Sequence, residues 1–192
     1  AGRGPGREGM EMDSATDAYR RFLAGEEQAF DEIMAELFRG LVFFADRYVH
    51  DVHTAEDIAI DVFADLIVHR HRYDFRVPLK TYLYMRGRCR ALDVLRHGKV
   101  LPTAPLDEAG EQADERALEE EVLADERKRA VNAALAQLPE DQRTAIHLVF
   151  FAEMSYADAA RVMKKSKKQV DNLLYRAKKA LRGILEESDL LC

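Results

Sequence analysis

The stretch from 155 to 181 constrains the fold most strongly, because it reads as two short helices joined by a tight basic turn. If the second helix runs from Lys167 to Arg182, positions 100° apart separate into two faces. The apolar face carries Val170, Leu173, Leu174, Ala177 and Leu181. The opposite face carries Lys168, Asp171, Asn172, Tyr175, Arg176, Lys179 and Arg182. Such polar side chains hydrogen-bond to base edges and phosphates, so the pattern predicts the recognition helix of a helix-turn-helix.

Charge is arranged in blocks that the net charge of −6 conceals. Residues 76–99 hold seven basic side chains against one acid, and residues 161–182 hold nine against one. Between them, residues 107–126 hold ten acids against one base. The two basic blocks predict nucleic-acid contacts despite the acidic total. The acidic block is interpreted either as solvated chain or as a nucleic-acid mimic, which would occupy a basic channel of a partner or fold back on the basic faces of this chain.

The sequence lacks the residue patterns of disulfide frameworks, metal sites, membrane spans and enzyme active sites. Cys89 and Cys192 have no metal-ligand spacing and make no disulfide framework, so we expect a reducing cytoplasm. The histidine pairs at 50/53 and 69/71 have no cysteine beside them, so neither a metal nor another cofactor is expected. No apolar run reaches transmembrane length. Nothing resembles a nucleophile–base set or a P-loop, so we expect no enzyme and no small-molecule substrate.

Hydrophobic periodicity predicts an all-α protein of two small helical domains joined by an acidic linker. The predicted order is a disordered arm or expression remnant (1–12), a first domain (13–98), the linker (99–126), a second domain (127–186) and a tail (187–192). Predicted helices cover 13–24, 26–48, 54–70, 79–96, 111–136 and 139–151, ahead of the helix-turn-helix. Thr54 and Ser155 are the predicted N-caps, and Gly25 and Gly98 are predicted to end helices.

Four motifs, in this order, resemble the extracytoplasmic-function (ECF) sigma factors of bacterial RNA polymerase. They are TAEDIAIDVFADLI, a helix ending in RALDVLR, LPEDQR, and SYADAARVM followed by QVDNLLYRAKKALR. The resemblance spans roughly residues 22–185. It implies a first domain (sigma region 2) that binds the polymerase clamp and melts the −10 element. It implies a second domain (sigma region 4) that reads the −35 duplex, and an anti-sigma protein as a further partner.

Acids recur every four residues at Asp57, Asp61 and Asp65, which predicts one acidic stripe on a helix. By itself such a stripe is usually a solvated surface. The resemblance implies that this helix docks on core polymerase through Asp57, Ile60, Asp61, Phe63 and Asp65. The family often has Gln at Ile60 and Glu at Asp61, so the charge is kept here and the amide is lost.

The helix at 80–96 interleaves aromatic and basic side chains, as single-stranded DNA requires for base stacking and phosphate contact. Its predicted −10-binding residues are Lys80, Tyr82, Tyr84, Arg86, Arg88, Cys89, Arg90 and Arg96. Some of its aromatics must pack in the core, and Tyr82 is expected to be structural as well. Cys89 stands where many family members have Asn, and a thiol is a poor hydrogen-bonding group. Either the −10 preference differs, or the loop 69–78 supplies the recognition.

The predicted −35-binding residues are Lys165, Lys167, Lys168, Asp171, Asn172, Tyr175, Arg176 and Lys179. Asn172 can pair bidentately with adenine, and Arg176 with guanine or a phosphate. Asp171 departs from the family, which commonly has Lys or Arg there. It is interpreted either as an acceptor for a cytosine amino group or as a partner of Lys168 or Arg176.

The alternative functional class is a helix-turn-helix regulator that binds operator DNA as a dimer without core polymerase. Such a regulator needs no acidic stripe coupled to an aromatic-basic helix. An RNA-binding or metal-binding enzyme is a more remote alternative.

Overall fold

The computed structural model describes residues 13–98 and 131–187. These residues form helices and connecting turns, with no β-strand among them, which confirms the all-α prediction. The predicted arm, the acidic linker, most of the predicted helix at 111–136 and residues 188–192 of the tail lie outside this range. None of the described helices is long and apolar enough to cross a membrane.

The first domain consists of α1 (Ser14–Leu23), α2 (Gln28–Val49), α3 (Val52–Val68) and α4 (Leu79–Arg96). The long α2 lies at the centre and packs against the other three helices. Its apolar stripe supplies Ile33, Leu37, Leu41 and Phe44, each at most 2% exposed.

Helix ends in the first domain follow the predicted signals with one correction. Gly25 has φ +105°, a conformation that glycine adopts at low cost, and it separates α1 from α2. The N-cap of α3 is Asp51, and the prediction of Thr54 was wrong. Asp51 has an extended backbone, and its carboxylate accepts a hydrogen bond from the Thr54 amide at 3.0 Å. Thr54 is therefore the third residue of the helix, and its amide is one that a cap must satisfy.

The second domain contains helical residues 131–136, α5 (Glu140–Ile146), α6 (Tyr156–Met163) and α7 (Lys167–Glu187). The predicted helix to Phe151 is present, but its last part (His147–Phe151) is a π-helical turn. Its wider spacing is seen in the hydrogen bond from the Ala152 amide to the His147 carbonyl oxygen at 2.9 Å. Ser155 caps α6 as predicted, accepting from the Asp158 amide at 3.1 Å.

The turn between α6 and α7 is made by Lys164, whose φ of +54° reverses the chain. Val170, Leu174 and Ala177 of α7 are then buried against α5 and α6. The two domains touch, because α6 of the second domain packs against α4 of the first.

Candidate nucleic-acid and protein interfaces

The outer face of α7 is an open polar surface. All seven polar side chains assigned to it from the sequence are exposed: Lys168, Asp171, Asn172, Tyr175, Arg176, Lys179 and Arg182. Tyr175 is 71% exposed, which is unusual for a ring that has no external partner. This face is rigid because the opposite side of the same helix is anchored in the core.

Basic side chains surround the start of α7. Lys164, Lys167 and Lys168 are exposed, whereas Lys165 is partly covered and pairs with Asp141 of α5 at 2.9 Å. The Ser166 hydroxyl accepts from the Gln169 amide at 3.1 Å, and Gln169 in turn accepts from the Ser166 amide. This reciprocal cap fixes the direction in which α7 leaves the turn.

Asp171 projects from the same face into solvent. Within the described residues it forms no ion pair with Lys168 or with Arg176. The intramolecular pairing considered from the sequence is therefore absent in the free protein. The carboxylate is left as an available hydrogen-bond acceptor in the middle of a basic surface.

On α3, Asp57 and Asp61 are exposed on either side of Ile60, whose side chain is 54% exposed. Ile58, Val62 and Leu66 are buried on the opposite face of the helix. Phe63 is 2% exposed and packs edge-on against Phe30, so its role is to support this surface from below. The accessible part is an apolar side chain flanked by two carboxylates.

Asp65 differs from the other two acids of the stripe. Its side chain is 13% exposed and accepts from Arg72 at 3.0 Å and from Arg86 at 3.1 Å, with His69 at 2.9 Å. Burial would raise the pKa of Asp65, but Arg72, Arg86 and His69 together hold it below its usual value. This carboxylate ties α3, the following loop and α4 together within the domain.

The aromatic residues of α4 face inward. Tyr84 is 2% exposed and lies against Phe44 at 4.9 Å between ring centroids. A Cβ at Gly40 would lie 2.7 Å from the Tyr84 hydroxyl oxygen, so glycine is required there for the ring to fit. Tyr82 is half-buried and packs on Tyr73 at 5.1 Å. In this arrangement Tyr84 offers no face on which a base could stack.

The cations of α4 divide into engaged and open groups. Arg86 is bound to Asp65, and Arg88 lies beside the Tyr48 hydroxyl. Arg90 is exposed, and Arg96 is exposed and paired with Asp93 at 3.1 Å. Lys80 and Cys89 are half-buried.

The loop before α4 presents an aromatic ring that the sequence did not single out. Phe75 has φ +61° and is 37% exposed. Its ring packs on Tyr73 at 4.6 Å, and the Arg20 guanidinium lies 5.3 Å from its centroid. A bulky residue with positive φ is held there by its surroundings, and such positions cluster at binding sites.

Sequence reasoning also missed Arg47 and His147, which join the two domains. Arg47 Nη1 lies 3.0 Å from His147 Nδ1. Neither residue belongs to a motif, and 100 residues separate them, so no local signal could have linked them.

Family models cover both domains. Residues 33–99 match Sigma-70 region 2, and residues 128–181 match Sigma-70 region 4. Among curated proteins, the chain is 30% identical over 185 residues to the RNA polymerase sigma-H factor of Pseudomonas aeruginosa, covering 88% of this chain and 94% of that one. It is 32% identical over 167 residues to the ECF RNA polymerase sigma factor SigM of Mycobacterium tuberculosis, covering 85% and 80% respectively.

Solved structures share the fold. CnrH, solved with the cytosolic domain of CnrY, matches with a TM-score of 0.64 at 20% identity, covering 91% of this chain and 99% of that one. RpoE of Bartonella quintana, solved with the anti-sigma factor NepR, matches with a TM-score of 0.63 at 20% identity, covering 82% and 96%.

Proposed function

The chain belongs to the extracytoplasmic-function sigma factors of bacterial RNA polymerase, and on that premise we propose how its surfaces divide the work of promoter recognition. The second domain reads the −35 duplex through α7, and the first domain binds core polymerase through α3 and holds the melted −10 strand through α4 and its preceding loop. The protein performs no covalent chemistry. The observation that carries this proposal is the rigid, exposed polar face of α7 beside a basic turn.

Recognition of the −35 element is assigned to the exposed side chains of α7. Asn172 suits adenine and Arg176 suits guanine, each through two hydrogen bonds in the major groove. Lys167 and Lys168 lie at the helix start, where phosphates would approach. Since Asp171 is unpaired in the free protein, we assign it the cytosine amino group as its partner.

We assign the binding of core polymerase to the surface formed by Asp57, Ile60 and Asp61. An exposed isoleucine between two carboxylates is complementary to a protein surface with basic side chains around an apolar centre. Asp65 and Phe63 hold α3 in position from within the domain.

We assign the binding of single-stranded −10 DNA to the exposed cations of α4, Arg90 and Arg96, together with the loop residue Phe75. A partly exposed ring beside cations can stack with a base that has left the duplex. Because Tyr84 is buried and Cys89 is a weak hydrogen-bonding group, the loop is the better source of base selection.

Regulation by an anti-sigma protein and action in the cytoplasm complete the proposal. RpoE of Bartonella quintana was solved with an anti-sigma factor and CnrH with the cytosolic domain of CnrY, and we extend that kind of partner to this chain. The dimeric regulator is not favoured, because both a region 2 and a region 4 domain are present.

In vitro transcription with purified core polymerase tests the proposal. We expect promoter-specific initiation and co-elution with core, and the absence of both on every promoter tried would overturn it. Asp61→Arg should weaken core binding and leave binding to a −35 duplex unchanged. Asp31→Arg, an exposed acid on α2, is the matched control and should affect neither. Loss of both activities in Asp61→Arg would indicate misfolding, which circular dichroism would reveal.

A further inference from the structure

The first turn of α4 has no side-chain cap of its own. Its N-cap residue is Pro78, whose side chain carries no hydrogen-bond acceptor. Leu79, the first residue of the helix, is 0% exposed, so its amide is shielded from water. The first amides of a helix have no intrahelical acceptor, and a buried one must find an acceptor elsewhere in the fold.

Helix α1 supplies these acceptors from a distant part of the sequence. The Thr16 hydroxyl accepts from the Leu79 amide at 2.9 Å, across a separation of 63 residues. The Asp13 carboxylate, at the N-cap of α1, accepts from the Thr16 hydroxyl at 3.1 Å. The same carboxylate oxygen lies 3.4 Å from the Lys80 amide nitrogen. The start of α4 is therefore capped by side chains of α1.

The same helix also fixes both ends of the loop that precedes α4. At the start of the loop, the Tyr19 hydroxyl donates to the Arg70 carbonyl oxygen at 3.1 Å. Near its end, the Tyr73 hydroxyl lies 3.4 Å from the Thr16 hydroxyl and donates to the Val77 carbonyl oxygen at 2.7 Å. Thr16 and Tyr19 are three residues apart, so they are neighbours on one side of α1.

The exposed ring of this loop also lies against α1. The centroid of the Phe75 ring is 6.1 Å from that of Tyr19, and the Arg20 guanidinium lies 5.3 Å from it. Phe75 has φ +61°, and a bulky residue keeps such a conformation only where its surroundings fix it. Helix α1 (Ser14–Leu23) precedes the segment 33–99 that matches Sigma-70 region 2. The support of the loop thus comes from outside the matched segment.

We propose that α1 is a template for the loop 69–78, in which Thr16, Tyr19 and Arg20 hold Phe75 and the first turn of α4 in the conformation that captures an unpaired −10 base. These three are positioning residues, because they act through the loop and need not touch DNA. Without the Thr16 hydroxyl, the buried Leu79 amide loses its acceptor, and the end of the loop must move to satisfy it. The effect on DNA rests on the proposed −10 role of the loop. The template itself does not.

Hydrogen exchange in the full-length chain, read by mass spectrometry, tests the template. Thr16→Val removes one hydroxyl and keeps the branched shape, and Tyr19→Phe removes the other and keeps the ring. We expect each variant to speed exchange in residues 70–82 by roughly tenfold or more and to leave α7 unchanged. Thr16→Ser keeps an acceptor and should match the parent.

A truncation elsewhere in the same domain controls for a general loss of stability. Ile33→Val shortens a buried side chain of α2 and should not act selectively on the loop. Exchange in residues 70–82 that equals the parent's in both hydroxyl variants, or rises no more than in Ile33→Val, would overturn the template. Tyr19→Phe keeps the test decisive if Thr16→Val does not fold.

Promoter opening by the holoenzyme reconstituted with core polymerase tests the effect on DNA. The permanganate reactivity of unpaired thymines in the −10 element measures opening, on a promoter from which the parent initiates. We expect Thr16→Val and Tyr19→Phe to lower the equilibrium constant for opening by roughly fivefold or more, the smallest effect of a lost base–ring stack. Co-elution with core and −35 duplex binding should be unchanged, and Thr16→Ser should open as the parent does.

Phe75→Ala separates the two levels of the proposal. If it lowers opening and the α1 variants do not, the positioning role of α1 is overturned. If Phe75→Ala opens the promoter as well as the parent, the proposed −10 role of the loop fails, while the exchange result stands independently.

Discussion

Acidification should open the contact between the domains, because His147 is buried there as the neutral form. Burial, and then the cations Arg47 and Lys80, lower the pKa of His147 from 6.5 to about 3. When the domains separate, the ring is hydrated and its pKa returns toward the ordinary value. The open state, in which the domains are apart, therefore binds a proton at His147 more readily than the closed state, in which the domains are in contact. The closed state has its full stability above about pH 6.5 and loses it progressively toward about pH 3.

The size of the effect follows from the same two pKa values. Each pH unit between them costs the closed state about 1.4 kcal/mol. Lowering the pH from about 7 to about 5 therefore removes on the order of 2 kcal/mol, a change of about thirtyfold in the ratio of closed to open protein.

Other charged groups around the contact between the domains act on the same equilibrium. Arg143 lies near Arg47, and Arg88 and Glu140 lie near Tyr48. Burial raises the pKa of Asp46, the acid next to Arg47, so a lower pH reduces the cost of burying this side chain. The titration is best confined to pH values above about 5, where most carboxylates remain ionised.

The assay measures the distance between spin labels across that pH range. The labels are attached to cysteines introduced at the exposed Ala35 and Ala136, in a background without Cys89 and Cys192. His147→Asn is the matched control, because its side-chain oxygen can accept from Arg47 as Nδ1 does but does not titrate. The parent protein should shift to longer distances as the pH falls, and the Asn variant should not. Equal pH responses in the two proteins, or none in the parent, would refute the reasoning.

Further predictions concern the two domains separately. Asp65→Asn should lower the stability of the first domain by about 1–2 kcal/mol, because Arg72, Arg86 and His69 lose their shared carboxylate. Asp61→Asn removes no ion pair among the described residues and should leave the stability unchanged; thermal unfolding measures both. Ser155→Ala should cost about 1 kcal/mol through the lost cap of α6, and Ser155→Thr should retain most of it in the same assay. Lys168→Gln should reduce the salt dependence of −35 duplex binding by a slope of about 1, and Lys178→Gln should not; anisotropy titrations at several salt concentrations distinguish them.

The sequence predicted best what depends on a single helix. Periodicity alone separates the buried Val170 and Leu174 from the exposed Asn172 and Arg176, because both faces of α7 are fixed by one 100° step. The same argument places Ile58 and Val62 in the core of the first domain. The functional assignments came from the order of the motifs and their resemblance to a family.

The sequence predicted poorly what depends on which helices meet. Asp57, Asp61 and Asp65 are equivalent along α3, but only Asp65 lies opposite Arg86 of α4. The sequence predicts that Tyr84 contacts DNA. In the structure the Tyr84 ring instead occupies the space that Gly40 of α2 leaves by lacking a side chain. The sequence predicts Thr54 as the cap of α3, but the residue type of Asp51 suits that position equally well, and only the backbone angles identify Asp51 as the cap.

The π-helical turn at His147–Phe151 places the two neighbouring phenylalanines in different surroundings. The Phe150 ring lies 4.9 Å from the ammonium group of Lys178 on α7, while the Phe151 ring stacks on His147 at the domain boundary. A single peptide bond therefore separates a contact with α7 from a contact with His147. A change in the backbone of this turn would alter both contacts. Spectroscopic signals from Phe150 and Lys178 would thus report on the turn from the α7 side.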